Sequence, residues 1–198
     1  MTPITTELLD SLRLSLKRPK DGMRRVLLLG LNRQTLWLAL GVSVIVATLL
    51  NYVHEMVTPV VTDLQGNPLV LPSPFVLVFF TLVVRILIDF VIARLGNAFG
   101  GTGNFFDILL ADIWLRVFEI ILMVAGIVAY LISPGIGQMV LYATYFYLFW
   151  LMLNFVAEAH GGMSLGKTLG LVLLSALIAA IPIIVVLNLM GVSPVIGT

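Results

Sequence analysis

Five stretches of this chain stay apolar for about the length of a membrane crossing: Thr35–Val53, Phe75–Leu95, Ile108–Ile132, Gln138–Ala157 and Thr168–Met190. A helix rises ~1.5 Å per residue, so roughly 20 residues cross ~30 Å of hydrocarbon. In that hydrocarbon each backbone amide must find its partner within the protein, which leaves helices or closed barrels. Barrel strands alternate polar and apolar residues with period two, and these runs do not. The sequence predicts an all-α fold, a polytopic membrane bundle of five transmembrane helices.

Composition supports the same class. Hydrophobic residues make up 60% of the 198, charged residues 11%, and mean hydropathy is +1.12. A soluble domain carries about 25% charged residues, so this chain has too few to cover a water-facing surface. The length suits one membrane domain without a soluble catalytic domain beside it. With no cysteine, disulfides, thiol catalysis and thiolate metal sites are excluded. The first apolar run begins only near Thr35 and no small-residue cleavage site follows it, so a cleavable signal peptide is not expected. The expected division is a basic segment 1–34, a membrane domain 35–190 and a short tail 191–198.

Orientation follows from where the cations fall. Arg13, Lys17, Arg18, Lys20, Arg24, Arg25 and Arg33, seven of the eleven basic residues, precede the first span. The Gly96–Asp107 loop, flanked by Arg94, and the Glu158–Lys167 loop lie on the same side as that segment. The His54–Pro74 loop, a short Ser133–Gly137 turn and the tail after Met190 lie on the other and contain no lysine or arginine. The positive-inside rule predicts a cytoplasmic N-terminus and an external C-terminus, in a bacterial cytoplasmic (inner) membrane. Thr6–Leu16 is expected to form a short helix with Leu8, Leu9, Leu12 and Leu16 on one side, lying in the headgroup layer. Its alternative is a tail held by basic attraction to anionic lipid. In the outer loop, Gln65-Gly66-Asn67-Pro68 is a turn candidate.

The spans themselves carry charge where charge is costly. Arg85 and Asp89 are four residues apart in the second span. Asp112, Arg116 and Glu119 follow at intervals of four and three in the third. Such spacing puts each set on one helix face. If the two spans form an antiparallel hairpin, Arg85 and Glu119 both lie roughly 15–18 Å from the connecting loop. Asp89 then comes to the depth of Arg116, and Arg94 to that of Asp112 or Asp107. Each such charge costs ~2.5–3.5 kcal/mol to insert and points by default to function. Two readings stand side by side: an ion-pair ladder that fixes helix register, and an ion or proton path or polar substrate cavity.

Gly161-Gly162-Met163-Ser164-Leu165-Gly166-Lys167-Thr168 matches the phosphate-loop pattern in full. That motif needs a strand to deliver the loop to a helix N-terminus, and here a membrane span precedes it. The glycines instead read as the end of the fourth span, with Ser164 as a cap for the fifth. A lipid phosphate resting beside Lys167 is the weaker alternative. The loop from Gly96 to Asp107 holds four glycines, counting Gly96 itself, and Phe99, Phe105 and Phe106 are expected to anchor it among headgroups. His54 and His160 fall on opposite sides and cannot share a metal; His160 beside Glu158 reads as an exposed loop pair. Pro182 is expected to interrupt the fifth span. Tyr142, Tyr145, Phe146, Tyr147, Phe149 and Trp150 suit an interfacial belt grading into bundle packing. No serine–histidine–acid set is present, and no cofactor, metal or nucleic-acid partner is expected.

Three features together carry a family resemblance. Arg18-Pro19 lies in a basic segment ahead of the first span. Gly101-Thr102-Gly103-Asn104-Phe105-Phe106-Asp107 turns into the third. Ala157-Glu158-Ala159-His160-Gly161 leaves the fourth and leads through Lys167 into the last. The arrangement resembles the bacterial branch of the Yip-domain family over most of residues 17–190. The resemblance implies a compact five-helix membrane domain with a cytoplasmic N-terminus. Eukaryotic members, the Ypt/Rab-interacting membrane proteins, act in vesicle trafficking and bind small GTPases or each other. Their Asp-Leu-Tyr-Gly-Pro motif is missing here; Asp63-Leu64-Gln65-Gly66 is superficially close but follows the first span.

The function expected on these grounds is a non-enzymatic organiser or accessory subunit. Its partners would be other membrane proteins or a second copy of itself, with anionic lipid at the basic segment. The alternative is a small transporter or ion- or proton-conducting protein using the charged second and third spans.

Overall fold

Two short helices precede the long apolar ones. The computed structural model describes residues 3–58 and 72–189, so the Gln65–Pro68 turn and the tail lie outside the described residues. Helix α1 is Pro3–Lys17 and α2 is Pro19–Leu28, joined through Arg18 alone. Proline suits the first position of α2, where its missing N–H would have no intrahelical acceptor. Gly22 permits the close crossing: a Cβ there would sit 2.1 Å from Ser15 Oγ.

The expected leucine stripe on α1 is half right. Leu8 and Leu12 pack against the core, but Leu9 and Leu16 are exposed and the buried positions are Ser11 and Ser15. The serines bury cheaply because their hydroxyls are satisfied. Ser11 Oγ donates to the Glu7 carbonyl at 2.7 Å and Ser15 Oγ to the Ser11 carbonyl at 2.8 Å. Trp114 Nε1 in turn donates to Ser15 Oγ at 3.0 Å. The small hydroxyl side of α1 therefore faces protein, where an indole can approach.

Helices α3 (Arg33–Val57), α4 (Pro74–Ala98), α5 (Phe105–Ile132), α6 (Pro134–Ala159) and α7 (Leu165–Leu189) follow. These five are long and apolar enough to cross a membrane, and the chain is a multi-pass integral membrane protein. Phe79, Met139, Phe146 and Ile181 remain largely exposed, as side chains that face lipid do. Because lipid is as apolar as leucine, contact between such helices gains from close packing rather than from leaving water. Close packing explains why α5 is central: α6, α3 and α4 pack on it, and α2 reaches both α5 and α6. Trp114, Phe118 and Phe155 form its aromatic spine, with ring centroids 6.0 and 5.9 Å apart.

Helices α4 and α6 both lean on α5, and α7 packs against both. No close backbone contact links α4 to α6 directly among the described residues. The Ser133–Gly137 turn is corrected to Ser133 alone, since Pro134 already opens α6 as its first residue. Gly137 belongs to that helix and lies against α5, where a Cβ would come 2.6 Å from the Tyr130 backbone. Pro182 does not end α7, which continues to Leu189.

Candidate functional site

On α4, Arg85 and Asp89 stand one turn apart; on α5, Asp112, Arg116 and Glu119 rise along one stripe. The antiparallel packing of α4 on α5 turns both sets toward one another. Between α4, α5 and α6 lies a cavity of about 700 Å³, with Arg85, Asp89, Asp112 and Glu119 in its wall. Tyr145, Phe149 and Met152 of α6 close the opposite side. The gap lies where α4 and α6 pack on α5 without close backbone contact with each other.

The depth argument is right for one pair. Arg85 meets Glu119, Nη2 to Oε2 at 3.5 Å, as expected of groups equally far from the connecting loop. Arg85 also ion-pairs with Asp112 through Nη1 and Oδ1. Arg116 approaches the same Glu119 oxygen at 3.6 Å, one turn away on its own helix.

The remaining rungs do not form. Asp89, 4% exposed, has no hydrogen bond or ion pair among the described residues, and its Oδ2 is fully buried. Arg116, 2% exposed, turns to Glu119 and leaves Nε and Nη2 without acceptors. The expected Asp89–Arg116 pairing is thus corrected. So is that of Arg94 with Asp112 or Asp107: the Arg94 guanidinium lies 5.1 Å over the Phe90 ring. Asp107 is committed to a capping box with Asn104, accepting from the Asn104 N–H at 2.9 Å. Two guanidiniums face three carboxylates in the cluster, and the surplus carboxylate has no protein partner.

A second cavity of about 790 Å³ lies between α3 and α4, beside Trp37, Phe90, Arg94, Asn97 and Phe105. Phe105 packs against Trp37 at 6.1 Å, and Arg33 lies 4.6 Å over Phe106. Of the three phenylalanines expected among headgroups, Phe99 is exposed and the other two are half-buried.

The end of the bundle that carries α1 and α2 holds the other buried polar set. Glu158 and His160 are corrected from an exposed pair to buried groups, 8% and 3% exposed, and each has a different neighbour. Glu158 Oε1 accepts from Arg24 Nε of α2 at 2.7 Å. His160 sits in a nest of glycines: a Cβ at Gly96, Gly101 or Gly103 would come 2.0, 2.7 or 2.9 Å from its ring. The Thr102 N–H donates to the His160 carbonyl at 3.3 Å, tying the α4–α5 loop to the end of α6. Burial pushes the imidazole pKa down, while the Ile92 carbonyl and the Asp107 charge oppose that shift. This nest was not read from the sequence. Its signal was a glycine-rich turn and a lone histidine in two loops on the same side.

The phosphate-loop match is resolved by its hydrogen bonds. Gly161 N–H donates to Glu158 O, and Gly162 and Met163 N–H both donate to Ala157 O, each at 2.9 Å. Gly161 and Gly162 hold φ of +80° and +85°, the left-handed region that glycine adopts at a helix end. The amides that would hold phosphate are thus spent ending α6. Lys20 Nζ donates to the Met163 carbonyl at 3.2 Å, and Lys167 is exposed on the first turn of α7. No grouping of three metal-binding side chains occurs among the described residues. No family model, curated protein or solved structure matches the chain.

Proposed function

We propose that the chain is a small membrane transporter whose α4–α5–α6 cavity takes up a cationic solute, the proton included. The observation that carries this reading is Asp89, buried in the cavity wall with no protein partner. An ion-pair ladder built only to set register would neutralise its charges on one another, because an unpaired buried carboxylate is destabilising. In a transporter the missing partner is the solute. The reading takes the basic end as cytoplasmic, by the positive-inside rule, and assigns the chain no catalytic chemistry.

The test is flux in proteoliposomes under proton and monovalent-cation gradients. Flux that disappears in Asp89→Asn, with the variant still monodisperse and helical, is the expected result. Absence of flux under every gradient would remove the proposal.

A second reading keeps an observation of its own. Leu9 and Leu16 of α1 and Leu28 of α2 are exposed, an apolar fringe where another membrane protein would dock. An accessory or organising role, in line with the resemblance to Yip-domain proteins, would use that surface. Crosslinking in native membranes separates the two, since an accessory subunit is captured with a fixed partner and a self-sufficient transporter is not.

A further inference from the structure

The inventory of free hydrogen-bonding groups in the cavity narrows the solute beyond its charge. On the donor side, Arg85 is engaged through Nη1 by Asp112 and through Nη2 by Glu119, and the Thr81 and Tyr145 hydroxyls in the wall can donate or accept. Arg116 has free nitrogens but is not part of the cavity wall. On the acceptor side, Asp89 Oδ2 and Asp112 Oδ2 are both buried and both without partners. Three carboxylates and one guanidinium line the cavity, so a solute that brings positive charge and N–H donors matches it best. An anion would meet an excess of carboxylate.

A bare metal ion fits poorly. Hard cations such as calcium and magnesium require about six to eight oxygen ligands, and no grouping of three candidate ligand side chains occurs among the described residues. Size points the same way. A volume of about 700 Å³ falls in the range of roughly 300–1,000 Å³ typical of organic ligands. Phe80, Ile88, Leu115, Phe149 and Met152 supply an apolar and aromatic wall around the carboxylates. That combination suits a molecule with an apolar body and one ammonium head, and aromatic faces favour such a head electrostatically.

Building on the transporter reading, we infer that the solute is an amphipathic organic ammonium ion. Its N–H groups bond Asp89 and Asp112, and its apolar part lies against α6. Arg85 then has a positioning role: it holds Asp112 through one oxygen and leaves the other, buried, without a protein partner.

The experiment uses the full chain in lipid nanodiscs, with empty discs as the blank. The probes are 2-phenylethylammonium, its neutral analogue 2-phenylethanol, and sodium. Calorimetric titration is expected to show binding of the amine, none of the alcohol, and an affinity for the amine about tenfold or more lower in Asp89→Asn, the loss of one charge-assisted bond. A second measurement needs no variant. The amine, and not the alcohol, should slow modification of Asp89 and Asp112 by a hydrophobic carbodiimide, read by mass spectrometry. Equal binding or equal protection by the alcohol would overturn the ammonium assignment, as would amine binding unaffected by Asp89→Asn in a folded variant.

The two proposals fail separately. Proton or sodium flux that depends on Asp89, with no amine binding, removes the ammonium ion and keeps the transporter. Neither amine binding nor any Asp89-dependent flux removes both.

Discussion

Glu158 and Asp89 are both buried carboxylates on membrane helices, 8% and 4% exposed, yet their surroundings differ in kind. Glu158 lies where α2 docks onto α6 and takes the Arg24 guanidinium at 2.7 Å. Around it, glycines close on His160 and backbone amides end α6 on their own carbonyls. That junction is close-packed and cross-linked within the chain, although Glu158 Oε2 and both His160 ring nitrogens have no hydrogen-bond partner among the described residues. Asp89 lies in the wall of the α4–α5–α6 cavity, beside an arginine already held by two other carboxylates. Burial alone therefore does not tell a structural acid from a functional one. The presence or absence of a committed partner does.

The comparison breaks most visibly at the junction. Gly96→Val puts branched carbons where even a Cβ would come 2.0 Å from the His160 ring, and its nearest neighbours are all atoms of that ring. Overpacking of this sort costs about 3 kcal/mol, and loss of most folded protein is expected on size-exclusion chromatography. Gly96→Ala combined with His160→Ala should recover much of it, because the second change vacates the nest. Full folding of Gly96→Val on its own would mean that the junction is not close-packed.

Next in size is Arg85→Leu, which strands Asp112 and weakens the hold on Glu119. Removing one member of a buried pair costs about 3 kcal/mol, so a lower unfolding temperature in detergent is expected. Adding Asp112→Asn and Glu119→Gln should restore part of it.

A smaller effect concerns pH. Burial holds the His160 pKa below its ordinary 6.5, so the unfolded chain takes up the proton first. The stability this neutral imidazole contributes is complete above about pH 6.5 and is lost as pH falls through the window between the unfolded and folded values. Unfolding temperature should therefore drop on acidification through that window, and less so in His160→Gln. A pH-independent wild type would contradict the buried neutral imidazole.

The smallest expected change is the most informative about the cavity. Asp89→Asn removes a carboxylate that forms no hydrogen bond or ion pair among the described residues, so stability should stay level or rise slightly. A fall as large as that of Arg85→Leu would reveal a structural partner and return Asp89 to the ladder.

The five spans were legible because twenty apolar residues in a row have few alternatives, and the Arg85–Glu119 pair because helical rise converts sequence position into depth. Helix α2 was not legible. Its buried face, Pro19, Gly22, Met23 and Val26, does recur at helical spacing, but it is short and half of it is proline and glycine, and what holds it is the burial of Met23 and Val26 against a bundle the local sequence does not describe. The Asp89 environment was hidden for a related reason. Depth matching tells which charges share a level but not which side chain each guanidinium reaches, and Arg85 turns to Asp112 and Glu119 while Arg116 turns to Glu119, which leaves Asp89 unpaired. His160 was misread because an isolated loop histidine resembles a solvated one until the opposite loop is seen to lack every side chain that would keep it out.

The glycine nest also has a mechanical consequence. It rivets one end of α4 to the end of α6, while the two helices have no close contact farther along. Rods joined at one end open like tongs. Over the 25 residues of α4, at ~1.5 Å each, a swing of about 10° about the rivet would displace the far end by about 6 Å, with α7, which packs against both helices, shifting as well. The joint itself would hardly stir. The cavity's mouth would then be at the end away from α1 and α2, with the three glycines serving as the pivot.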